Sequence, residues 1–137
     1  MTATGASAAP GETNLGVLLQ SMRPELLPGE WFFATVLSTE GVDAAATVRE
    51  PEGVSVVVDR AEAQRIGAGT EHPYRWITLR VHSSLDAVGL TAAVIVALTA
   101  HDISCNVIAG AFHDHLLVPA AQADEAMRAL VEVSANA

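Results

Sequence analysis

Residues 74–119 read YRWITLRVHSSLDAVGLTAAVIVALTAHDISCNVIAGAFHDHLLVP. Tyr74 to Val81 alternates strongly enough to predict a strand. Ser83 or Ser84 can cap a helix after it, and Ser83 with Asp86 three residues on resembles a capping box with Asp in place of Glu. That helix is expected to run to about Ala100. Its apolar residues go nearly all round, with Leu85, Val88, Ala92, Ile95 and Val96 on one side and Leu90, Val94, Ala97 and Leu98 on another. A helix with no polar face is buried on more than one side. This predicts a sheet against one side and a second half or subunit against the other. Ile103 to Phe112 reads as a strand, His113-Asp114 as a turn, and His115 to Val118 as the next strand. Pro119 or Ala120 opens a last helix, with Asp124 and Glu125 in its early turns, where they suit the helix dipole. Its apolar stripe is Ala123, Ala126, Met127, Leu130 and Val131. The order β-α-β-β-α is a ferredoxin-like unit lacking its last strand.

The residues before this stretch read α-β-β-β-α. Thr13 caps a short helix to Met22, with Leu15, Leu18, Leu19 and Met22 on one stripe. Arg23-Pro24 ends it. Pro28-Gly29 is a turn, and Glu30 to Leu37 a strand rich in aromatic and β-branched residues. Trp31, Phe32 and Phe33 are consecutive, so they point to both faces of that strand. Ser38 to Ala44 is a loop and Ala45 to Arg49 a weak strand. Glu50-Pro51-Glu52-Gly53 has the residue order of a type I turn, and Val54 to Val58 completes a hairpin. Asp59 caps a helix from Arg60 to Ile66, with Gly67 just past its end. The polar segment Gly67–Pro73 is the expected seam. The predicted organisation is a tail at 1–11, an incomplete unit at 12–70 and a second unit at 71–137. Two incomplete units can complete each other by lending strands.

The chain has 137 residues, half of them hydrophobic, and only 17% charged. That is enough apolar material for one ordinary domain or two very small ones. Seven basic and 16 acidic side chains give a formal charge of −9. Lysine is absent and the arginines are scattered, which argues against nucleic acid and against an anionic membrane surface. Cys105 is the single cysteine, so no intrachain disulfide is possible. The first residues lack a basic region and an apolar core, so they do not read as a signal peptide. The longest uncharged apolar stretch, Ala87–Ala100, is too short to span a bilayer. A cytoplasmic location is the default expectation.

Ile77-Thr78-Leu79-Arg80-Val81, Gly89-Leu90-Thr91-Ala92-Ala93, and Ile103-Ser104-Cys105-Asn106-Val107-Ile108 together resemble an ACT domain. Such domains carry a strand, a helix beginning near a glycine, and a second strand of the pattern G-I-N-V. With the shorter unit before it, the chain resembles the small stand-alone bacterial tandem-ACT proteins. The resemblance implies tandem ferredoxin-like βαββαβ units in an α+β fold, with antiparallel sheets covered by helices on one face. It also implies a regulatory module that binds an amino acid near the loop joining the first strand to the first helix, and pairing of ACT units into a homodimer.

The expected site is His82-Ser83-Ser84-Leu85-Asp86 with Gly89 and Leu90. A helix N-terminus offers free N–H groups and partial positive charge, and so suits a carboxylate. Ser83 and Ser84 can add hydroxyl donors, and Asp86 can pair with an α-amino group. Asn106, Val107 and Ile108 complete the set. If Val107 faces the core, Asn106 faces the other way. The same serine and aspartate would also serve simply as caps. His113-Asp114-His115 has a competing metal reading, with Cys105 or His82 as further ligands, or its polar residues line the effector pocket. Cys105 lies in an apolar strand, which suits a structural thiol.

Three functions follow. The first is a non-catalytic, amino-acid-binding regulatory module acting as a homodimer, without cofactor or metal, with an enzyme or regulator as a further partner. The second is an interaction protein without ligand. The third is a small metal-dependent enzyme using His113 and His115.

Overall fold

A computed structural model describes residues 5–6 and 10–137. The expected tail over 1–11 lies largely outside the described residues. The chain runs α1 (Leu15–Gln20), β1 (Pro24–Leu26), β2 (Trp31–Val36), β3 (Ala46–Glu50), β4 (Gly53–Asp59), α2 (Arg60–Arg65), β5 (Tyr74–Leu79), α3 (Leu90–Ala100), β6 (Asn106–Ala109), β7 (Asp114–Pro119), a 3-10 turn (Ala120–Gln122) and α4 (Ala123–Ala135). All seven strands join one antiparallel sheet in the order β3-β4-β2-β5-β7-β6, with β1 also on β5. This is the α+β, ACT-type architecture that the sequence implies.

Strand sharing joins the sheet. β5 pairs through Tyr74 with Trp31 of β2 and, at its other end, through Ile77–Leu79 with β1. β1, early in the chain, thereby occupies the edge where the β5-α3-β6-β7-α4 unit needs its last strand. Three residues are too few to show a period, and the sequence reading contained no strand there. Arg23, with φ 44, turns the chain from α1 into it.

Side chains alternate across the sheet. On one face Phe32, Val56 and Val58 pack with Ala63 of α2. On the same face Ile77, Leu79, Leu116 and Val118 pack with Leu18 of α1, with Leu90, Val94 and Leu98 of α3, and with Ala123, Ala126, Ala129 and Leu130 of α4. The opposite face holds a smaller cluster of Val57, Trp76 and Leu117, with Trp31, Tyr74 and Ile108 against it. There Trp76 Nε1 and Thr78 Oγ1 lie 3.2 and 3.0 Å from His115 Nδ1. Indole N–H can only donate, so this nitrogen accepts, and burial, the largest cause, pushes the His115 pKa down in accord.

Three local expectations are corrected. Asn14, not Thr13, caps α1: its Oδ1 accepts the Val17 N–H at 3.0 Å, while Glu12 Oε1 accepts the N–H groups of Thr13 and Asn14. The strand expected over 103–112 is shortened to β6, because Asp102 at φ 56 turns the chain and Ile103 drops into the core as loop. The third correction concerns the start of α3 and bears on the site.

Candidate ligand site

α3 begins at Leu90, not after Ser83 or Ser84. The reason is a long-range contact. Glu12 N–H donates to the His82 carbonyl at 2.8 Å, and Ser84 N–H donates to the Glu12 carbonyl at 3.0 Å. The backbone at 82–84 is therefore bonded to a neighbouring segment, and the Ser84 carbonyl accepts the Ala87 N–H at 3.0 Å in a single turn that ends before α3. Ser83 N–H is also taken, by the Phe112 carbonyl at 3.2 Å. Gly11 makes the approach possible, since a Cβ there would stand 2.6 Å from Ser84 N and 2.8 Å from His82 O. The Ser84 hydroxyl caps a turn instead of a helix, accepting the Asp86 N–H at 3.1 Å. The chain enters α3 through Gly89, at φ 106, a left-handed conformation that glycine adopts freely.

No side chain caps α3. Its first residues border a small cavity of about 160 Å³, lined by Ser83, Ser84, Leu85, Ala87, Gly89, Leu90, Thr91, Ala109, Gly110 and Asp114. One wall is thus the β5–α3 loop and the start of α3, and the other is the β6–β7 hairpin. The cavity holds roughly five waters' share of liquid volume, below the roughly 300 Å³ at which drug-sized pockets begin.

Asp114 is the ionisable group of this wall. It is the first residue of β7 and pairs in register with Leu79 and Ala109. Burial raises its pKa above the usual carboxylate value, against the lowering pull of His115 and His113. Among the described residues no donor bonds its carboxylate. An acid held in this way gains from a cation brought into contact with it.

The expected residues fall into two groups. Ser83, Ser84, Leu85, Gly89 and Leu90 line the cavity together. Asp86 does not line it and is exposed. His82 also stands outside, its ring 4.9 Å from Phe112 and its buried Nε2 without a partner. Val107 joins the helix-covered core while Ile108 joins the cluster on the opposite face. Asn106, opposite in orientation to Val107, lines a separate cleft with Phe33 and Tyr74. Ala87, Thr91, Ala109, Gly110 and Asp114 are the cavity residues absent from the expected set, although the 113–115 hairpin was one place expected to contribute polar groups.

His113 and His115 lie 6.5 Å apart, centroid to centroid. Among the described residues no three His, Cys, Asp or Glu side chains converge for a metal ion. Burial pushes the Cys105 thiol up to about 11, so it is protonated at neutral pH. No helix among the described residues is long and apolar enough to cross a membrane.

Comparison with known proteins completes the site's context. Residues 10–75 match one ACT-domain model and residues 71–132 a second. A solved structure from Vibrio cholerae, of a protein of unknown function described as a possible transport protein, is 47% identical with a TM-score of 0.77, over 85% of this chain and 92% of that one. An Agrobacterium tumefaciens protein shares the fold at 17% identity and TM-score 0.60, over 81% of this chain and 87% of that one. So does the Clostridium acetobutylicum aspartate kinase, an allosteric enzyme, at 11% identity and TM-score 0.56, over 80% of this chain and 34% of that one. No curated protein matches the sequence. ACT domains are, in general, regulatory modules that bind small molecules, and the two matches with the Vibrio cholerae relative show that this chain belongs to the ACT-domain family as a tandem of two such units.

Proposed function

We propose that this chain is a non-catalytic regulatory module whose effector is a small zwitterion of the amino-acid class, bound in the cavity between the β5–α3 loop and the β6–β7 hairpin. The observation that carries the reading is the pairing of opposite charge preferences across about 160 Å³. The uncapped N-terminus of α3 offers N–H donors and a positive end to a carboxylate. Asp114, half-buried and without a donor, offers a counter-charge to an α-ammonium group. The Ser84 hydroxyl lies on the same wall. The volume favours an amino acid with a small side chain. The units divide at about residue 70, as 12–70 and 71–137, and the protein works in the cytoplasm.

The regulatory half of the reading is a population shift. An effector clamped between α3 and the β6–β7 hairpin favours the packing in which those elements are close. That packing is read out by a second copy or by a regulated enzyme. α3 carries no charged residue, and Val96 and Val88 are 70% and 83% exposed. In a chain of charge −9 such an uncharged surface is where two copies approach without repulsion. The same exposed residues support the second reading, an interaction module with no effector.

Isothermal titration with glycine, alanine, serine and the larger amino acids tests the proposal. Binding of one or more small amino acids, lost in Asp114→Asn, is the expected outcome. Equal binding by the variant, or none by the native chain, refutes it.

A further inference from the structure

A second cleft lies apart from this cavity, at the other end of β5. It is lined by Phe33 of β2, Glu71 and His72 before β5, Tyr74 of β5 and Asn106 of β6, and encloses about 430 Å³. That falls within the roughly 300–1,000 Å³ of small-molecule sites. Phe33 is 45% exposed, an unusual cost for a phenylalanine within a sheet unless something covers it. Its ring meets Tyr74 edge to face, at 5.2 Å and 83°. In that arrangement one ring gives its edge and the other its face, so aromatic surface remains for a third group.

The carboxylate in the cleft is Glu71. Gly69 makes room for it: a Cβ at 69 would stand 2.5 Å from Glu71 Oε2. The ion pairs of the described residues all involve other groups, and no hydrogen-bond donor meets this carboxylate among them. Arg60 and Arg75 bond elsewhere, although the buried Nε of Arg75 has no partner among the described residues. Arg60 lies over the Phe32 ring at 4.9 Å and pairs with Glu30 at 2.6 Å, and Arg75 donates to the Leu27 carbonyl at 3.0 Å. At Arg60 this chain itself sets a guanidinium between an aromatic face and a glutamate, and the cleft brings together the same two kinds of group. Aromatic faces beside a free carboxylate select organic cations.

The geometry points to a second binding site in this cleft, for a small guanidinium or ammonium compound seated on Phe33 and Tyr74 and paired with Glu71. It shares no lining residue with the effector cavity. Asn106 supplies a polar contact at the far wall.

The test is a titration of the full chain followed by amide NMR, using butylguanidinium and its uncharged near-isostere butylurea as probes. Butylguanidinium is expected to shift the amides of Phe33, Glu71, Tyr74 and Asn106, and butylurea to leave them in place. Glu71→Gln, at an exposed position, should weaken binding roughly three- to fivefold, the scale of one exposed ion pair. Phe33→Leu keeps apolar volume but removes the aromatic face, and should weaken it by a similar factor. Equal response to both probes, no shift at these residues, or shifts centred on Ser84 to Thr91 instead would overturn the proposal. So would unchanged affinity in either variant.

Discussion

The two units follow their first strand with very different loops. After β2, residues 37–45 stand where the first helix of an ACT unit belongs, and they form no helix. The loop is pinned instead. Glu62 of α2 accepts the Asp43 N–H at 2.8 Å and two Arg65 donors, and Arg65 donates onward to the Gly41 carbonyl. These bonds hold the Glu62 pKa at about 2, the Arg65 hydrogen bond being the largest cause. After β5, residues 80–89 lead into a true helix and leave a cavity beneath it. There the acid is Asp114, raised by burial and bonded by nothing among the described residues. One carboxylate is bonded within the chain and the other has no donor among the described residues. A perturbed, under-bonded acid in a cavity is a candidate for function, so of these two unlike loops the one after β5 is the one to test.

The largest effects are expected in the two helix-covered cores, one in each unit. Phe32→Ala in the first unit should cost about 3–5 kcal/mol and Leu98→Ala in the second about 2–5 kcal/mol, both residues being fully buried. Because β1 pairs with β5 over three residues and β2 meets it at Trp31 and Tyr74, each variant should still melt in one transition. Two separated transitions in calorimetry would show that the strand exchange does not couple the units. Gly11→Val comes next. Its added atoms would meet the backbone of residues 82–84, and about 1–3 kcal/mol of overpacking strain should lift the Glu12 segment away. Hydrogen exchange at Ser84 would then accelerate, while Asp43 in the other loop stays protected. Unchanged exchange at Ser84 would show that the bridge does not order the site.

The two acids should titrate with opposite sign. The Glu62 pKa is depressed, so its contribution is present above about pH 4.5 and lost as pH falls toward about 2. The destabilisation by Glu62→Gln should therefore shrink over that acid range. The Asp114 pKa is raised, so its charged form costs stability once pH climbs past the usual aspartate value. Asp114→Asn should gain on the native chain as pH rises. Urea melts from pH 2 to 7 on both variants check this, and matching signs would contradict the contrast. The smallest effect belongs to Leu37, 96% exposed at the tip of the pinned side: Leu37→Ser should change stability by less than about 0.5 kcal/mol.

How much of this was legible depended on range. Val54–Val58 read correctly as a strand, and Tyr74–Val81 did so as far as Leu79, because β-branched and alternating residues carry their own signal. Asp59 was legible as a cap because its partner, the Glu62 N–H at 2.8 Å, lies three residues away. Ser83 and Asp86 fit the same local pattern and yet do not start a helix. Glu12, some 70 residues upstream, binds the Ser84 N–H first, and no local pattern contains that. Asp114 read as a turn residue, because only the β5–β7 register brings it to the start of α3. The Ser84 and Gly89 side of the cavity was thus visible in the sequence, and the hairpin that carries its acid was visible only as one of several readings.

The most direct test of the effector reading is a backbone-amide NMR titration of the native chain with the small amino acids, each carried to saturation. Shifts confined to Ser84, Gly89 to Thr91, Ala109, Gly110 and Asp114, with a melting temperature raised by several degrees through the roughly 2.7 kcal/mol expected at a hundredfold excess over Kd, are the predicted result. No shift with any of them, or shifts that leave those residues still, would contradict it.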